Sequence, residues 1–407
     1  MKIALVHELL TMRGGAERVL RILADLFPDA PIYTLLYDEK KLGDWFPKER
    51  IRTSPLQSSL TTRYSLLTTH SINHHLYLRR FPKAVESWDF SQFDLVISTS
   101  SAFAHGIITN SNPKHLCYVH SPARYLWDRT HDVMREASKG PLGMLKKLYL
   151  TRTFHTLRIW DSEAGDRPNK LLAASKAVQR RIEMYWRRTS DVVTPPIDDF
   201  WFSPPNPNPI PACAPAGASV GRPHPYFLVV SSLVRYKRID LAIQACTKLG
   251  QHLKIVGEGP DRKRLQKLAG PTVEFYGWRQ GDELKDLYAS AIATIFPGDE
   301  DFGLVPLESM ACGTPVIAYR SGGALESIVE GSTGEFFDEP TSDSLQEIIK
   351  KFEPQNQSAS GARFGAPQKK YSSDACREQA KKFSKEKFIA EISNAIAELM
   401  QPEKKTQ

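Results

Sequence analysis

Two glutamates, Glu300 and Glu308, are separated by seven residues in the segment PGDEDFGLVPLESMACGTPVIA, residues 297–318. An apolar run predicts a strand that delivers the chain to Glu300, and Pro306 favours a helix that begins with the proline. The backbone amides that would then be free at the helix start are those of Gly303, Leu304 and Val305. Because the positive end of a helix attracts anions, we predict that these amides bind a diphosphate while the carboxylates bind sugar hydroxyls.

Separate explanations exist for the two carboxylates: a capping role for Glu308 and a solvated loop position for Glu300. A Glu-x7-Glu spacing by itself would not exclude them. The strand, the glycine turn and the proline around the pair favour a binding site instead.

The predicted elements that carry these residues are short apolar strands alternating with longer helical patterns, which is typical of parallel α/β sheets. Polar and glycine-rich residues collect at the carboxyl ends of the strands. They are RGG, STSS, HSPAR and ASK in the first half, and SSLVRYK, GEG, GW, PGDEDFG and RSGG in the second. Since parallel sheets bind ligands at that edge, we predict two Rossmann-like domains whose parallel sheets face each other across a cleft.

Proline and glycine are dense in residues 201–225, where neither a helix nor a central strand could continue. We therefore predict a first domain over residues 1–200, a linker over 201–225 and a second domain over 226–384. The closing residues, about 385–407, are expected to form a helix that packs back on the first domain. A chain of 407 residues is long enough for two domains.

The composition is that of a globular protein, with 41% hydrophobic and 25% charged residues. We expect no signal peptide and no membrane span, hence a cytoplasmic protein whose five cysteines are reduced. The first 200 residues hold 29 Lys and Arg against 21 Asp and Glu, whereas the rest hold 25 of each. This basic half is compatible with a solvated surface or with attraction to an anionic membrane or acceptor, and no nucleic-acid-binding module is recognisable.

Three further motifs precede the Glu-x7-Glu segment. In chain order they are GGAE at 14–17, HSPARYLWD at 120–128 and YKRIDLAIQA at 236–245. Together with Glu-x7-Glu they resemble the retaining GT-B glycosyltransferases of family 4, the glycosyl transferases group 1. The likeness extends over essentially the whole chain and is strongest to bacterial mannosyltransferase-type members. It implies a GT-B fold and an enzyme that transfers a sugar from a nucleotide donor.

The resemblance also implies roles for residues of the second half. Glu300 would contact the donor sugar near the reacting carbon, and Glu308 would bind the nucleotide ribose. Lys237 would neutralise the leaving diphosphate. The backbone amides that would hold the sugar and the diphosphate are those of Phe302, Gly303, Leu304 and Val305.

One position departs from the family pattern. The family commonly has an arginine five residues before the lysine, and this chain has Ser232 there. Arg235 or Arg238 would then supply the second cationic contact to the donor. The residues expected beside the base and ribose are Gly257, Tyr276, Gly277 and Trp278. Packing of Phe275 and Trp278 in the core is the alternative.

In the first half, Gly14 and Gly15 follow the first strand, where the absence of a side chain would let the backbone approach a ligand closely. The resemblance implies that they line the cleft opposite the donor phosphates. His120 ends a strand and corresponds to a family histidine near the donor sugar. We expect it at the reacting centre, in a sugar or backbone contact rather than in proton transfer. Arg124 and Asp128 would line the acceptor pocket or, alternatively, hold their own loop in place.

The run Asp299-Glu300-Asp301 superficially resembles the Asp-x-Asp metal site of the other glycosyltransferase fold. Its overlap with Glu-x7-Glu argues against that interpretation, so we expect no metal and no cofactor, with the sugar nucleotide as a substrate. The resemblance to mannosyltransferases implies GDP-mannose as the preferred donor, and UDP-glucose or another UDP-sugar is the alternative. The expected acceptor is a polysaccharide or a lipid-linked glycan of envelope or exopolysaccharide synthesis.

Two other classes of protein compete with a transferase. An epimerase or a dehydrogenase would have GxGxxG after the first strand, where this chain has HELLTMRGG. A non-catalytic sugar-nucleotide-binding protein would not need the glutamate pair together with Lys237.

Residues 144–160, MLKKLYLTRTFHTLRIW, mix four cations with apolar residues and contain no acid. Such a stretch could lie on the inner face of an anionic membrane with its apolar side down, in reversible and salt-sensitive binding. The cations of RRIEMYWRR at 180–188 would add to the attraction. The alternative is a helix whose apolar face packs in the core of its own domain.

Overall fold

The computed structural model describes residues 1–58, 78–110, 112–140, 142–204, 224–352 and 371–401. The chain divides into two compact units, Met1–Thr194 with Phe388–Gln407, and Pro195–Lys387. Each unit is built on one parallel β-sheet with helices between the strands, so the predicted α/β fold class is confirmed.

The first unit has a seven-stranded sheet in the order β3-β2-β1-β4-β5-β6-β7. Its strands are β1 (Ile3–Leu10), β2 (Ile32–Tyr37), β3 (Ile51–Thr53), β4 (Leu95–Ser100), β5 (Lys114–Val119), β6 (Lys170–Ala173) and β7 (Asp191–Val192). All six residues of β4 are buried, as expected for a central strand that is covered on both faces. Strand order reverses between β1 and β4, and ligands bind parallel sheets at such a switch point.

The described helices of this unit precede or follow those strands. They are α1 (Gly15–Leu26), α2 (Glu39–Leu42), α3 (Phe81–Val85), α4 (Thr130–Ala137), α5 (Gly143–Ala164) and α6 (Lys176–Trp186). Helix α1 buries Val19, Leu20 and Leu23, which lie on one helical face. Helix α6 begins after Ser175, whose side chain accepts a hydrogen bond from the Val178 amide and so caps the helix.

The second unit has a six-stranded sheet in the order β10-β9-β8-β11-β12-β13. Its strands are β8 (Tyr226–Val230), β9 (His252–Val256), β10 (Val273–Gly277), β11 (Thr294–Phe296), β12 (Val316–Tyr319) and β13 (Gly334–Phe337). Its helices are α7 (Ile239–Leu249), α8 (Arg262–Leu268), α9 (Gly281–Ser290), α10 (Leu304–Ala311), α11 (Ala324–Ser327), α12 (Ser342–Lys351) and α13 (Ser373–Lys381).

A further helix, α14 (Lys385–Met400), contributes to the core of the first unit. Phe388, Ile392 and Ile396 are buried there, and the Phe388 ring meets the Tyr118 ring of β5 edge-on at 5.6 Å. Burial of each such side chain stabilises the fold by about 1.5–3 kcal/mol. The first unit is therefore assembled from two separate stretches of the chain.

The start of the predicted linker differs from the structure. Trp201 was expected in the linker, but it is buried in the second unit, where its ring meets Tyr288 edge-on at 5.6 Å. A large indole is more stable in an apolar core than in a solvated segment, which explains the difference. Residues 205–223 of the predicted linker, and the predicted loop 353–370, lie outside the described residues.

In the described part of the chain, no helix combines the length and the apolar character that a bilayer crossing requires. The cysteines Cys117, Cys246, Cys312 and Cys376 are buried, and Cys213 lies outside the described residues. Burial raises the pKa of the Cys117 and Cys246 thiols to about 12. These two thiols stay protonated at physiological pH and act as small packing groups.

Candidate active site

The loops that follow β8, β9 and β11 pack closely at the carboxyl edge of the second sheet, and glycines permit the contact. Gly257 has a φ of +132°, and a Cβ there would lie 1.9 Å from the carbonyl oxygen of Ser231. A Cβ on Gly298 would lie 3.1 Å from the Cα of Lys237. Side chains at these glycines would force the loops apart, so their absence lets Lys237 approach the β11 loop.

Lys237 and Glu300 form an ion pair, with 2.5 Å between Nζ and Oε1. Lys237 ends the 3-10 helix Arg235–Lys237, and Glu300 lies in the loop after β11. The two side chains are only 15% and 21% exposed, so solvent and salt screen the pair less than they screen a surface pair. The ammonium group has three N–H donors, and donors beyond the one directed at Glu300 can meet an anionic ligand.

Helix α10 begins at Leu304, so the predicted start at Pro306 is wrong by two residues. The N-cap is Gly303 with a φ of +83°, a conformation that glycine adopts readily, and this turns the chain into the helix early. Pro306 takes the third helical position, where an amide would have no partner within the helix. In the described chain no side chain caps this helix, so the first-turn amides of Leu304 and Val305 can serve an anion.

Glu308 lies in the second turn of α10 and is buried. The hydroxyl of Tyr288, in α9, donates a hydrogen bond of 2.9 Å to Oε2 of Glu308. Tyr288 was not predicted from the sequence, because a tyrosine within an ordinary helical pattern carries no sign of a partner 20 positions away. A buried carboxylate needs a hydrogen-bond donor, and this need of Glu308 was the only indication in the sequence that a residue such as Tyr288 contacts it.

The loop after β12 holds the backbone of the Glu300 loop. The Gly323 amide donates to the Glu300 carbonyl oxygen at 2.9 Å, and the Ser321 hydroxyl donates to Oδ1 of Asp299 at 2.7 Å. Gly322 has a φ of +60°, and a Cβ there would lie 2.0 Å from the Glu300 carbonyl oxygen. The RSGG sequence, predicted only as part of a ligand-binding edge, thus fixes the position of Glu300.

Two predicted donor contacts differ in how far they reach solvent. Phe302 is buried and its ring packs 5.8 Å from the Phe383 ring, so only its backbone remains for a ligand. Trp278 follows β10 and is 59% exposed, so the alternative that it packs in the core is wrong. Phe275 does pack against the core. Gly277, between them in β10, has a φ of +69°.

In the first unit, Gly14 is the N-cap of α1 and Gly15 its first residue. Oε2 of Glu17 accepts a hydrogen bond of 2.9 Å from the Gly14 amide, and Oε1 lies 3.8 Å from Nε2 of His7. Nδ1 of His7 lies 2.7 Å from the Thr99 hydroxyl. These buried polar groups join the ends of β1 and β4 to the start of α1.

His120 directly follows β5, and its amide donates to the Ser100 carbonyl oxygen at 2.8 Å. Its Nε2 atom is buried and has no hydrogen-bond partner among the described residues. Burial, and then the neighbouring His7, lower the pKa of His120 to about 3. The ring is neutral at physiological pH, so it can donate or accept a hydrogen bond but cannot act as an imidazolium acid.

Residues 220–369 match the family model described as Glycosyl transferases group 1. The second unit carries a glycosyl transferases group 1 domain. The sulfoquinovosyl transferase SQD2 of Arabidopsis thaliana is 37% identical over 126 residues, which are 29% of this chain and 25% of that protein. The GDP-mannose-dependent alpha-(1-6)-phosphatidylinositol monomannoside mannosyltransferase of Mycolicibacterium smegmatis is 33% identical over 143 residues, 31% of this chain and 37% of that protein.

These matches span only a quarter to little more than a third of the two relatives. In fold, the chain is similar over 98% of its length to the Anabaena protein HepE, solved in complex with UDP. The TM-score is 0.66, the identity is 17%, and all of the HepE chain is covered. The fold is GT-B, as predicted from the motifs.

Within the group 1 domain, neither arginine expected to replace the one missing at Ser232 lies on the Lys237–Glu300 pair in this structure. Arg238 donates to the Pro340 carbonyl oxygen at 3.3 Å and lies 3.5 Å from Asp240. Nε of Arg235 lies 3.9 Å from Oδ1 of Asp261. Lys237 is the cation that the structure places against Glu300.

The two predicted acceptor residues of the first unit contact each other. Nε of Arg124 lies 3.3 Å from Oδ2 of Asp128, and Nε of Arg181 lies 2.9 Å from the same oxygen. The Tyr185 hydroxyl donates to the other oxygen of Asp128. These contacts agree with the alternative role, in which the pair holds its own loop in place.

Glu8, near the end of β1, is a second residue whose role was not predicted from the sequence. Its Oε1 atom accepts hydrogen bonds of 2.5–3.1 Å from four consecutive amides, those of Ser101, Ala102, Phe103 and Ala104. The Ser100 hydroxyl donates to the same oxygen at 3.0 Å. A carboxylate at the end of an apolar strand was the available signal, and it fixes the loop after β4.

The Asp299-Glu300-Asp301 run shows no metal-like grouping. Asp299 accepts a hydrogen bond from Ser321, and Glu300 pairs with Lys237. Across the ranges that the structure describes, no group of three or more His, Cys, Asp or Glu side chains is arranged to hold a metal ion.

Proposed function

We propose that the protein is a retaining, metal-independent glycosyltransferase. It transfers a hexose from a sugar nucleotide to a polysaccharide or lipid-linked acceptor in envelope or exopolysaccharide synthesis. The observation that carries this proposal is the Lys237–Glu300 ion pair in the group 1 domain, beside the uncapped start of α10. The cation and the first-turn amides match the negative charge of a diphosphate, and the carboxylate can accept hydrogen bonds from the hydroxyls of a sugar.

The chemistry follows from those charges. The bond between the anomeric carbon and the diphosphate oxygen breaks, and negative charge grows on the diphosphate. Lys237 and the α10 amides stabilise that charge, while Glu300 orients the sugar through its hydroxyls. The acceptor hydroxyl attacks the same face that the diphosphate leaves, and its proton passes to a leaving phosphate oxygen. The configuration at the anomeric carbon is therefore retained.

GDP-mannose is the preferred donor. The support is the 33% identity to a mannosyltransferase named for GDP-mannose, over 143 residues. A UDP-sugar is the second candidate, and an epimerase or a non-catalytic binding protein is disfavoured by the site's composition. Retention predicts an alpha-linked product from GDP-alpha-mannose.

The test is hydrolysis and transfer with a panel of GDP- and UDP-sugars, followed by NMR of the product linkage. Transfer from one donor with retention supports the proposal, and the donor that reacts names the base and the sugar. A beta-linked product would contradict the retaining mechanism. Activity should persist after EDTA treatment, and recovery only on adding Mg²⁺ or Mn²⁺ would contradict metal independence.

A further inference from the structure

The amino-terminal end of α5 exposes a group of apolar side chains beside two lysines. Residues 144–149 are six consecutive exposed residues, and Leu142 just before the helix is exposed as well. Met144 is 82% exposed and Leu145 64%. Successive helical residues are about 100° apart, so Met144, Leu145, Leu148 and Tyr149 lie on one side of the helix, and Lys146 and Lys147 lie on the other. We call residues 142–149 the α5 tip.

The rest of α5 packs differently from the sequence prediction. Phe154 and Leu157 are buried in the core of the first unit. They cannot face a membrane, so the expectation that residues 144–160 lie flat with their apolar side down is wrong. The apolar residues of α5 that remain accessible are concentrated at the tip, apart from Ile159 further along.

The α5 tip carries two lysines, Lys146 and Lys147, and no acid. Residues 143–160 contain four cations and no acid. Among the ion pairs of the described chain, none involves Lys146, Lys147 or Arg152. Long lysine stems can lie along an apolar surface while the ammonium group stays at its polar boundary.

A cavity of about 430 Å³ opens beside the tip, between α4 and α5. Its cationic lining residues are Arg135, Lys147 and Arg158, and hydroxyl groups come from Thr130, Ser138 and Thr151. Arg158 is held by neutral oxygens, the Leu126 carbonyl at 2.7 Å and the Thr130 hydroxyl at 2.7 Å. Lys147 belongs to both the cavity and the tip, so the two features are continuous.

We propose that the α5 tip inserts into an anionic phospholipid bilayer and that the adjoining cavity binds a lipid phosphate. Leu145, Leu148 and their neighbours would enter the acyl boundary, while the cations meet phosphates at headgroup depth. A bilayer offers apolar and anionic groups at adjacent depths, which matches an apolar side of the tip flanked by two lysines. The absence of acids in α5 before Asp161 and the cations of the adjoining cavity favour an anionic bilayer.

Flotation of the full chain with vesicles tests the proposal. Vesicles of phosphatidylcholine alone are compared with vesicles that also contain phosphatidylglycerol, at low and at high salt, without sugar nucleotide. The chain should float with the anionic vesicles at low salt and be released by salt. Because no donor is present, the result is independent of whether the proposed transfer reaction is correct.

Variants test the apolar residues of the α5 tip and the cationic cavity separately. L145S/L148S should lower the partition constant by about tenfold or more for each leucine removed. K147Q should lower it about fivefold, and only for anionic vesicles. The matched controls are L268S and K350Q, which change an exposed leucine and an exposed lysine of the second unit and should bind like the wild type.

The changed side chains are exposed, so circular dichroism and thermal melting should show that these variants fold. Equal flotation of the wild type and L145S/L148S would overturn insertion of the tip. Wild-type binding by K147Q would overturn the phosphate site in the cavity. A chain that never floats, but forms a dimer which L145S/L148S dissociates in light scattering, would overturn the proposal in favour of contact between copies.

Discussion

The Tyr288 hydroxyl donates a hydrogen bond of 2.9 Å to Oε2 of Glu308, and both side chains are buried. The contact joins α9 to α10. A buried carboxylate has lost most of its water, so it depends on donors from the protein. The group that we propose to bind the ribose is thus oriented before a ligand arrives.

Replacing that tyrosine should weaken donor binding rather than the chemical step. In Tyr288→Phe the carboxylate loses a donor, and a hydrogen bond to a charged group contributes about 1.5–3 kcal/mol. We expect the KM for the donor to rise about tenfold or more, with kcat changed much less. Steady-state kinetics with varied donor measure both values.

Tyr226→Phe is the matched control. Tyr226 is also buried, but its hydroxyl donates to the Leu287 carbonyl oxygen at 2.9 Å and does not contact Glu308. This variant should lose stability and keep the wild-type KM. Equal KM values for the two variants would show that the Tyr288 contact is structural only.

Replacing Glu300 and replacing Glu308 should affect different kinetic constants. Glu300→Gln removes the charged partner of Lys237 at the proposed reacting centre, and kcat should fall about a hundredfold or more. Glu308→Gln should mainly raise the KM for the donor. Stopped-flow binding of the nucleotide, measured beside turnover, separates the two effects. Wild-type kinetics in either variant would contradict the assigned site.

Gly322→Ala should disturb Glu300 through the backbone. A Cβ at this position would lie 2.0 Å from the Glu300 carbonyl oxygen, so the two loops must separate. A shift of about 1 Å at a reacting group can cost about a hundredfold in rate. We expect a large loss of kcat together with a lower melting temperature.

Gly331→Ala serves as its control. Gly331 also has a positive φ, +76°, but a Cβ there would meet no atom within 4 Å. It should cost only the left-handed strain of about 1–2 kcal/mol and leave kcat unchanged. Similar kcat values for the two variants would mean that the loop after β12 does not position Glu300.

Three buried histidines should make the fold sensitive to acid. Burial lowers the pKa of His105, His115 and His120 to about 3, against about 6.5 in an unfolded chain. Between these values the unfolded chain binds protons that the folded chain does not. Stability is therefore full above about pH 6.5 and falls as the pH drops towards 3. Asp161, whose pKa burial raises to about 7, acts in the opposite direction.

His115→Gln tests this linkage. Against the wild type, the free energy of unfolding should lose about 1.4 kcal/mol less per pH unit on the acid side, because one proton fewer is linked. Ser98→Ala is the control, since it removes the hydroxyl 2.7 Å from Nε2 of His115 but keeps the imidazole. Urea unfolding between pH 4 and 7 would contradict the prediction if both variants kept the wild-type slope.

The parts of the fold that follow local rules could be predicted from the sequence. Apolar runs bounded by glycine and polar residues marked the strands, and Pro306 with Gly303 marked the start of a helix within two residues. The exact start depended on the positive φ of Gly303, a backbone property that spacing does not reveal. Trp201 was misplaced because its burial depends on α9 and α10, which are distant in sequence.

In the candidate site, too, some residues could be predicted from the sequence and others could not. Glu300 and Lys237 stood out because their residue types suit a diphosphate sugar. Tyr288, Glu8 and the glycines of RSGG act through contacts that form only after loops and helices pack. The orientation of α5 could not be predicted either, because a sequence that mixes leucines and lysines does not show which turn of the helix is buried.

The two-part make-up of the first unit has a consequence for biosynthesis. A ribosome that has completed residue 194 has made every strand of the first sheet, yet it has not made Phe388, Ile392 or Ile396. The second unit is one continuous stretch, Pro195–Lys387, so all of its residues are synthesised before Phe388 is added. The nascent amino-terminal sheet must therefore wait, with part of its apolar surface uncovered, until the later half of the chain has emerged.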